Sequence, residues 1–268
     1  MKIWHAPAKL NLFLHVVGRL ENGYHQLQTV YQLIDWKDEL EFEVSPDGRI
    51  RRPSEVPGIA EEQCLTVKAA CALRDRFPGT EGVDIRLKKN IPAGSGLGGG
   101  SSDAATTLIA LNSLWKLDLS AAELAEVGAD VGADVPVFIH GTNAWAQGIG
   151  EHLSGISLSE QLYLVVVPPV EVSTRRVFSQ CDLSPYRDRI SMQDFYDGAV
   201  CNDLEQTACR LYPEVRLALE WLGQHGEAKM TGSGGAVFAA VKSEEQAEEL
   251  VRSRPSGYRC RFCVGMGS

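Results

Sequence analysis

The stretch that decides the fold is "GSGLGGGSSDAA", residues 94–105, in which five of the first seven positions are glycine. Each glycine held in a folded loop costs about 0.5–1 kcal/mol relative to alanine, so the stretch needs a compensating function. It runs directly into residues 101–116, where Leu108, Leu111 and Trp115 recur at helical spacing. A flexible linker would continue into polar, low-complexity chain instead. We therefore predict a glycine loop that leads into a helix.

The start of this helix is suited to bind an anion. Ser101, Ser102 and Asp103 stand where capping or first-turn residues are expected. Helix N-termini carry free backbone N–H groups and the positive end of the helix dipole, and glycines let the backbone approach a ligand closely. We predict that the ligand is a phosphate group.

Three phosphate-binding motifs compete for this stretch. A Walker A loop requires a lysine after the glycines, and the sequence has none there. Gly94, Gly96 and Gly99 spell the dinucleotide fingerprint, which should follow a buried parallel strand. The preceding run, residues 83–92, alternates apolar and polar residues and predicts a half-exposed antiparallel strand ended by Pro92. The third motif is the P-x-x-x-G-L-G-S-S type of loop, which "IPAGSGLGGGSSDAA" matches closely.

Composition limits the classes of protein that fit. The chain has 268 residues, 44% of them hydrophobic and 23% charged, which is enough for a sizeable core. A net charge of −9 argues against a general nucleic-acid binder. We find no apolar run of membrane-spanning length and no signal-peptide pattern, and we therefore expect a cytoplasmic protein without a membrane partner.

The seven cysteines are scattered, which favours reduced thiols. Cys260 and Cys263 form a lone C-x-x-C in a segment that resembles a strand, where they would point to opposite faces. We therefore predict no metal site formed by protein residues alone.

The pattern of secondary structure indicates an α+β protein with two domains. The predicted elements of the first are strands at 9–17, 24–34 and 39–45, a helix at 64–77, and a helical region at 120–141 broken at Gly128, Gly132 and Pro136. After 155 the order becomes strand, helix, two strands, helix and strand, which suggests a ferredoxin-like layer. We place the domains at 1–155 and 156–268.

Several further motifs carry a family resemblance. They are "PAKLNLFLHVVGRLENGYHQLQTVYQLIDWKDEL" (7–40), "GADVPVF" (132–138), "STRRVF" (173–178), "CNDLE" (201–205) and "MTGSGGAVFA" (230–239). Together with the glycine loop they resemble the GHMP kinases, and the element "NGYH" resembles the 4-diphosphocytidyl-2-C-methyl-D-erythritol kinase branch. The resemblance implies a ribosomal-protein-S5-like N-terminal domain and a ferredoxin-like C-terminal domain.

The resemblance also implies an activity. That family uses ATP and Mg²⁺ to phosphorylate the 2-hydroxyl of 4-diphosphocytidyl-2-C-methyl-D-erythritol, giving the 2-phosphate and ADP, in non-mevalonate isoprenoid biosynthesis. By resemblance Lys9 and Asp134 are the catalytic pair. A carboxylate can accept the proton of the hydroxyl as the bond to phosphorus forms. Lys9 would stabilise the ionised carboxylate and offset charge on the transferred phosphoryl group.

The repeat "VGADVGADV" offers two candidate bases. Asp130 and Asp134 are four residues apart and would share one face of a helix. The family pattern has the base directly before Val-Pro, which favours Asp134.

The remaining site residues are also assigned by resemblance. ATP binding is expected of Lys89, Pro92, Ala93, Gly94, Ser95, Gly96, Leu97, Gly98, Gly99, Gly100, Ser101 and Ser102. Tyr24, His25 and Phe178 would bind the cytosine ring, and the other substrate contacts would be Asn11, Thr174, Gly232, Ser233 and Gly234. Asp103 is a candidate neighbour of the Mg²⁺ ion. The partners are thus ATP and a cytidine diphosphate substrate, and we expect a monomer or a weak homodimer.

Two departures from the family pattern stand out. Cys64 occupies a position near the adenine pocket where the family often has asparagine, which puts the adenine contacts in doubt. The second glycine loop contains "TGSGG" where "SGTGA" or "SGSGA" is more usual, and we expect Gly235 in place of alanine to be harmless.

Two alternatives remain at this point. The chain could be a GHMP kinase for another alcohol, such as homoserine or a mevalonate derivative, against which the "GYH" element argues. It could also be a catalytically inactive nucleotide-binding regulator, against which Lys9 and Asp134 argue.

Overall fold

The computed structural model describes residues 2–21, 23–183, 185–198 and 200–267 and shows two compact units, both discontinuous in sequence. Unit 1 comprises Met1–Ala8, Trp36–Ile91 and Gly98–Thr142. Unit 2 comprises Lys9–Asp35, Pro92–Leu97 and Asn143–Ser268. These packing units differ from the division near residue 155, because two long strands contribute residues to both units. As a boundary between fold domains, residue 155 stays a prediction.

The two long strands are β1 (Trp4–Arg19) and β2 (His25–Ser45), which pair with each other. We predicted two separate strands over residues 24–45, and the structure joins them. The residues between the two predicted strands have hydrogen-bond partners within unit 1. The Trp36 indole N–H donates to the Asn90 carbonyl at 3.0 Å. The buried Asp38 carboxylate accepts the backbone N–H groups of Asn90 and Ile91. These bonds let the strand continue through residues that look like a turn in the sequence.

Unit 1 places helices against a small sheet. Its further elements are β3 (Ile50–Arg51), a short 3₁₀ helix (Glu61–Gln63), α1 (Leu65–Arg76), β4 (Gly82–Lys88), α2 (Gly99–Leu114), α3 (Ala121–Val131) and α4 (Val135–His140). Strand β4 is antiparallel to the end of β2, from Glu39↔Lys88 to Ser45↔Gly82, and β3 lies parallel to β4. The apolar residues of β4 are buried and the alternating polar ones are not, which confirms the predicted half-exposed antiparallel strand.

The helical region after residue 120 is broken once, between α3 and α4, where Gly132 is the C-cap of α3. The predicted breaks at Gly128 and Pro136 were wrong. Gly128 lies inside α3, where a Cβ would come within 2.7 Å of a Val135 methyl carbon and 2.8 Å of an Ile139 methyl carbon. Pro136 lies in the first turn of α4, where its missing N–H has no helical partner to lose.

Unit 2 contains a four-stranded antiparallel sheet in the order β10-β7-β9-β8. Its elements are β5 (Ala144–Gly148), β6 (His152–Gly155), β7 (Leu162–Val167), α5 (Thr174–Gln180), α6 (Met192–Tyr196), α7 (Glu205–Leu211), α8 (Pro213–Gly223), β8 (Ala228–Met230), β9 (Val237–Ala240), α9 (Glu244–Arg252) and β10 (Arg259–Val264). The order from β7 through α8, β8, β9 and α9 to β10 matches the predicted layer. Strand β5 forms a hairpin with β6 and also pairs with the first part of β2.

One face of this sheet carries the main core of unit 2. Residues of β7, β8 and β9 pack with α7, α8 and α9 in one buried cluster, which includes Leu164, Val166, Val237, Val215 and Leu222. Cys260 packs against this cluster, while Cys263 is fully buried outside it, in agreement with opposite faces of β10.

The described ranges contain no group of three or more histidine, cysteine, aspartate or glutamate side chains that could hold a metal ion. Within the same ranges no helix combines the length and the apolar character that a membrane span requires.

The close approach of α3 and α4 at Gly128 is testable by thermal or urea unfolding. We expect Gly128→Ala to lower the free energy of unfolding by about 1–3 kcal/mol, because the added methyl group overpacks the contact. The matched control is Gly223→Ala at the end of α8, where a Cβ meets nothing within 4 Å. The control should be neutral or stabilising, and equal effects of the two substitutions would contradict the packing account.

Candidate active site

Two glycine loops pack against each other within unit 2. The N-terminal glycine loop is residues 94–97 and the C-terminal glycine loop is residues 231–235. The Ala236 N–H donates to the Ser95 carbonyl at 2.7 Å, and the Val172 N–H donates to the Gly94 carbonyl at 3.4 Å. The Ser95 hydroxyl donates to the Pro92 carbonyl at 2.7 Å, which closes the turn that enters the first loop.

The contact between the loops leaves no room for side chains. Gly96 has φ +78°, and a Cβ there would lie 2.7 Å from the Thr231 carbonyl oxygen and 2.8 Å from that of Gly234. Gly235 has φ +97°, and its Cβ would lie 2.9 Å from the Gly94 carbonyl oxygen. The expectation that Gly235 is harmless therefore understates its role, because the backbone packing in this chain requires glycine there.

Lys9 lies where the two loops meet. Its backbone N–H donates to the Leu97 carbonyl at 3.0 Å, and its ammonium donates to Asn11 Oδ1 at 2.5 Å. A Cβ on Gly232 would lie 3.3 Å from Lys9 Nζ, so the ammonium is adjacent to the C-terminal glycine loop. The Asn11 backbone N–H donates to Thr231 Oγ1 at 2.8 Å. Lys9 and Asn11 are two residues apart on β1 and share one face of the strand, as their hydrogen bond shows.

Sequence reasoning missed two residues that hold Lys9, Asn11 and the C-terminal glycine loop in place. Thr29 on β2 is fully buried, and its hydroxyl oxygen accepts from Asn11 Nδ2 at 2.9 Å. Asn202 donates from Nδ2 to the carbonyls of Met230 and Gly232 at 3.0 and 2.9 Å. Asn202 lies in "CNDLE", which we noted as a family motif without assigning it a role. Thr29 has no such signal, because threonine is common in strands.

The predicted base-binding residues lie in unit 2 around a stacked ring pair. The His25 and Phe178 rings have centroids 5.1 Å apart at an interplanar angle of 28°. Burial, followed by the charge of Arg19, lowers the pKa of His25, so its imidazole is neutral at pH 7. Tyr24 is 58% exposed. Since the two rings touch, a base would have to stack on an outer face or part them, and the role of Phe178 stays a prediction.

Thr174 and Ser233, both predicted substrate contacts, are brought together in the same unit. Their hydroxyl oxygens are 2.7 Å apart. Thr174 begins α5, whose N-cap Ser173 accepts the Arg176 N–H at 3.3 Å. The C-terminal glycine loop is therefore tied to α5 by a side-chain hydrogen bond.

In unit 1, three of the residues predicted to cap or begin a helix lie near the start of α2. The N-cap is Gly98 and no side chain caps the helix, so none of Ser101, Ser102 and Asp103 is a cap. Ser101 lies in the first turn, whereas Asp103 lies beyond it, so the predicted first-turn position of Asp103 was wrong. Ser102 and Asp103 are buried, and the Ser102 hydroxyl oxygen and Asp103 Oδ1 have no hydrogen-bond partner in the described part of the chain. The start of α2 therefore has two buried oxygen atoms that could hydrogen-bond to a ligand.

Lys89 is held by two carboxylates next to the start of α2. Its Nζ donates to Asp38, and to Asp103 Oδ2 at 2.7 Å. A Cβ on Gly99 would lie 3.2 Å from Nζ, which places the ammonium against the start of α2. Burial raises the pKa of Asp103 to about 8 despite the attraction of Lys89. Burial opposes the charge on Lys89, but Asp103 and Asp38 outweigh it and raise the Lys89 pKa. The raised pKa of Asp103 favours its protonated form at pH 7.

The two candidate bases do not share a helix, so that prediction was wrong. Asp130 is exposed near the end of α3, whereas Asp134 is the half-buried N-cap of α4. The chain leaves the helix at Gly132, which adopts extended backbone. Cys64, the other doubtful position, is the buried N-cap of α1, with its Sγ 3.1 Å from Thr66 Oγ1.

Comparison with known proteins gives one consistent family. The family model described as "GHMP kinases N terminal domain" matches residues 65–142, and "GHMP kinases C terminal" matches residues 192–260. The chain is similar to the 4-diphosphocytidyl-2-C-methyl-D-erythritol kinase of Aromatoleum aromaticum, with 49% identity over 95% of this chain and 89% of that protein. The enzyme of that name from Nitrosococcus oceani is 48% identical over 97% of this chain and 92% of its own length.

A solved structure supports the same assignment. The crystal structure of a 4-(cytidine 5'-diphospho)-2C-methyl-D-erythritol kinase matches with a TM-score of 0.86 at 30% identity, covering 99% of this chain and 100% of that one. This match and the two family models confirm the predicted α+β GHMP kinase fold.

The packing of the glycine loops is testable at Gly96. We expect Gly96→Ala to lower the free energy of unfolding by at least about 2 kcal/mol and to weaken ATP binding, because the methyl group meets two carbonyl oxygens. Gly58→Ala is the control, since Gly58 has φ +76° with nothing within 4 Å of its Cβ. It should cost about 1 kcal/mol and leave ATP binding intact. Isothermal calorimetry and urea unfolding measure both quantities, and identical losses would refute the close contact.

The protonation of Asp103 predicts a pH-dependent stability. A folded-state pKa above the unfolded value means that the folded protein binds more protons, so stability falls as pH rises toward the folded pKa. Asp103→Asn removes this titration. We expect the variant to gain about 1–2 kcal/mol on the wild type in free energy of unfolding between about pH 6 and pH 8. Asp75→Asn, on the exposed side of α1, is the control. A pH-independent difference for Asp103→Asn would show that this carboxyl is ionised throughout.

Proposed function

Because the chain belongs to the 4-diphosphocytidyl-2-C-methyl-D-erythritol kinase family of GHMP kinases, we propose that it transfers the γ-phosphoryl group of ATP to the 2-hydroxyl of 4-diphosphocytidyl-2-C-methyl-D-erythritol. The products would be the 2-phosphate and ADP. The observation that carries this proposal is near-half identity over almost the full length of relatives with that name.

ATP would be bound through the N-terminal glycine loop and the start of α2. The backbone fits this role, since Gly94, Gly96 and Gly98 have positive φ and present no side chain to a ligand. The buried Ser102 hydroxyl, which has no hydrogen-bond partner among the described residues, also fits a site that is completed by a polar ligand. The ATP-binding residues that we propose are those implied by the resemblance, namely Lys89 and residues 92–102.

Mg²⁺ would enter with the nucleotide. This ion keeps several waters and is commonly held by substrate phosphates with one or two carboxylates. Bound there, the ion would neutralise charge on the phosphates.

The proposed chemistry needs a base and a cation. Asp134 would orient the substrate hydroxyl and accept its proton as the oxygen forms its bond to the γ-phosphorus and the bond to the ADP oxygen breaks. Lys9 would offset the charge on the transferred group. The burial of Lys9 beside both glycine loops supports this role, because a buried ammonium interacts more strongly with a phosphoryl group than an exposed one.

The substrate end of the site is proposed on the same grounds. Tyr24, His25 and Phe178 would hold the cytosine, with the neutral imidazole of His25 offering one donor and one acceptor to the base edge. Asn11, Thr174 and residues 232–234 would contact the remainder of the substrate. The monomeric or weakly dimeric state stays a prediction.

The role of Asp134 is tested by the release of ADP with Mg·ATP and the cytidine substrate, with mevalonate and homoserine as parallel substrates. We expect turnover with the cytidine substrate alone. Asp134→Asn should lower kcat by about 10²–10⁴-fold, because the amide cannot accept the proton. Asp130→Asn, the same change at the exposed end of α3, should leave kcat unchanged.

Other outcomes separate the alternatives. Turnover with mevalonate or homoserine would assign a different acceptor alcohol. ATP binding without turnover of any of the three would indicate a regulator, and full activity of Asp134→Asn would remove this residue from the mechanism.

A further inference from the structure

A chain of buried polar side chains runs from Lys9 into the interior of unit 2. Lys9 and Asn11 are 3% and 2% exposed, and Thr29 is 0% exposed. The Lys9 ammonium donates to Asn11 Oδ1 at 2.5 Å, and Asn11 Nδ2 donates to Thr29 Oγ1 at 2.9 Å. The Thr29 hydroxyl in turn donates to the backbone carbonyl of Phe13.

The last acceptor in this chain, the Phe13 carbonyl, determines the direction of each hydrogen bond. The Phe13 carbonyl can only accept a hydrogen bond, and a threonine hydroxyl has a single proton. Because Thr29 uses that proton on Phe13, its oxygen can only accept from Asn11. The Asn11 amide must therefore present its NH₂ group to Thr29 and its oxygen to Lys9.

The opposite orientation of the amide is doubly unfavourable. It would place the Asn11 oxygen against the lone pairs of Thr29 and the NH₂ group against the Lys9 ammonium. In a buried site such mismatched groups lose their solvation without gaining a partner. The Thr29 hydroxyl thus selects one of two amide orientations, the one that gives Lys9 an acceptor.

We propose that Thr29 is a positioning residue for phosphoryl transfer, which acts through Asn11 to hold the Lys9 ammonium beside the C-terminal glycine loop. This inference rests on the proposed function, in which Lys9 faces the transferred group. A Cβ on Gly232 would lie 3.3 Å from Lys9 Nζ and 3.4 Å from Asn11 Oδ1, so the ammonium and its acceptor meet at that loop. Through its hydrogen bond to Asn11, Thr29 is connected to this position.

The kinetic test is a double-mutant cycle of Thr29→Val and Asn11→Ala in the full chain. Valine keeps the shape of threonine but cannot accept from the amide. We expect Thr29→Val to lower kcat by about 10–100-fold with KM for ATP changed less than about 3-fold. Thr29→Ser should retain at least about half of the wild-type kcat. In the Asn11→Ala background Thr29→Val should change kcat by less than about 2-fold, because the residue it acts through is gone.

The matched control is Thr207→Val on α7. Thr207 is also buried, and its hydroxyl donates to Cys181 Sγ at 3.3 Å, outside the Lys9–Asn11–Thr29 chain of hydrogen bonds. It should match the wild type in kcat. If Thr29→Val does not yield folded protein, Thr29→Ala enters the same cycle. Equal loss of kcat from the Thr29 substitution in both backgrounds, or no loss in the wild-type background, would overturn the proposal.

A second measurement does not depend on turnover. Lysine labelled with ¹⁵N at Nζ gives an NMR signal for a buried ammonium, and Lys9→Met identifies the Lys9 signal. We expect this signal to shift or vanish in Thr29→Val and to persist in Thr29→Ser. An unchanged signal in Thr29→Val would overturn the positioning role. If the wild type fails to phosphorylate the cytidine substrate while the signal responds as expected, the proposed function fails and the positioning of Lys9 by Thr29 stands.

Discussion

The structure of unit 2 depends on the direct backbone contact between two glycine loops that are more than 130 residues apart in the sequence. At Gly96 and Gly235 any side chain would collide with backbone atoms of the opposite loop. The contact brings Leu97, which accepts the Lys9 N–H, next to Thr231, which accepts the Asn11 N–H. The contact between the loops thus fixes both of them and also β1, the strand that carries Lys9. The entropy given up at the glycines is the cost of this close approach.

Lys9 and Lys89, two lysines with little exposure, have different hydrogen-bond partners. The Lys9 ammonium donates to an amide oxygen, that of Asn11, whereas the Lys89 ammonium donates to the carboxylates of Asp38 and Asp103. Within unit 1 the Lys89 ammonium also lies against the start of α2, since a Cβ on Gly99 would be 3.2 Å from its Nζ. Lys89 and its two acidic partners therefore stabilise the start of this helix.

Much of the fold follows from the sequence because local signals and the wider pattern agree. The antiparallel β4, the glycine loop leading into α2 and the order of elements after residue 155 were predicted from alternation, glycine placement and apolar runs. The continuity of β2 could not be predicted, since it depends on Asp38 accepting N–H groups from residues more than 50 positions away. Gly128 was predicted to break the helix because glycine is unfavourable inside helices. The reason for glycine there is the close contact with α4, which is a tertiary contact and has no local sequence signal.

Prediction from the sequence has the same limit for the side chains of the candidate site, because tertiary contacts have no local signal. Motif resemblance proposed Lys9, Asn11, Asp134 and both glycine loops as parts of the site. It could not reveal the hydrogen-bond directions that make Thr29 relevant, or the unsatisfied oxygen of Asp103, because these depend on which atoms are buried together.

The most direct test of the central claim is the position of the new phosphate. ³¹P NMR of the product from substrate labelled with ¹³C at C2 reports whether phosphorus is attached through oxygen to that carbon. The account predicts a phosphomonoester signal with a two-bond coupling to the labelled carbon, together with stoichiometric ADP. A phosphomonoester that lacks this coupling, or ADP formed with inorganic phosphate alone, would contradict it.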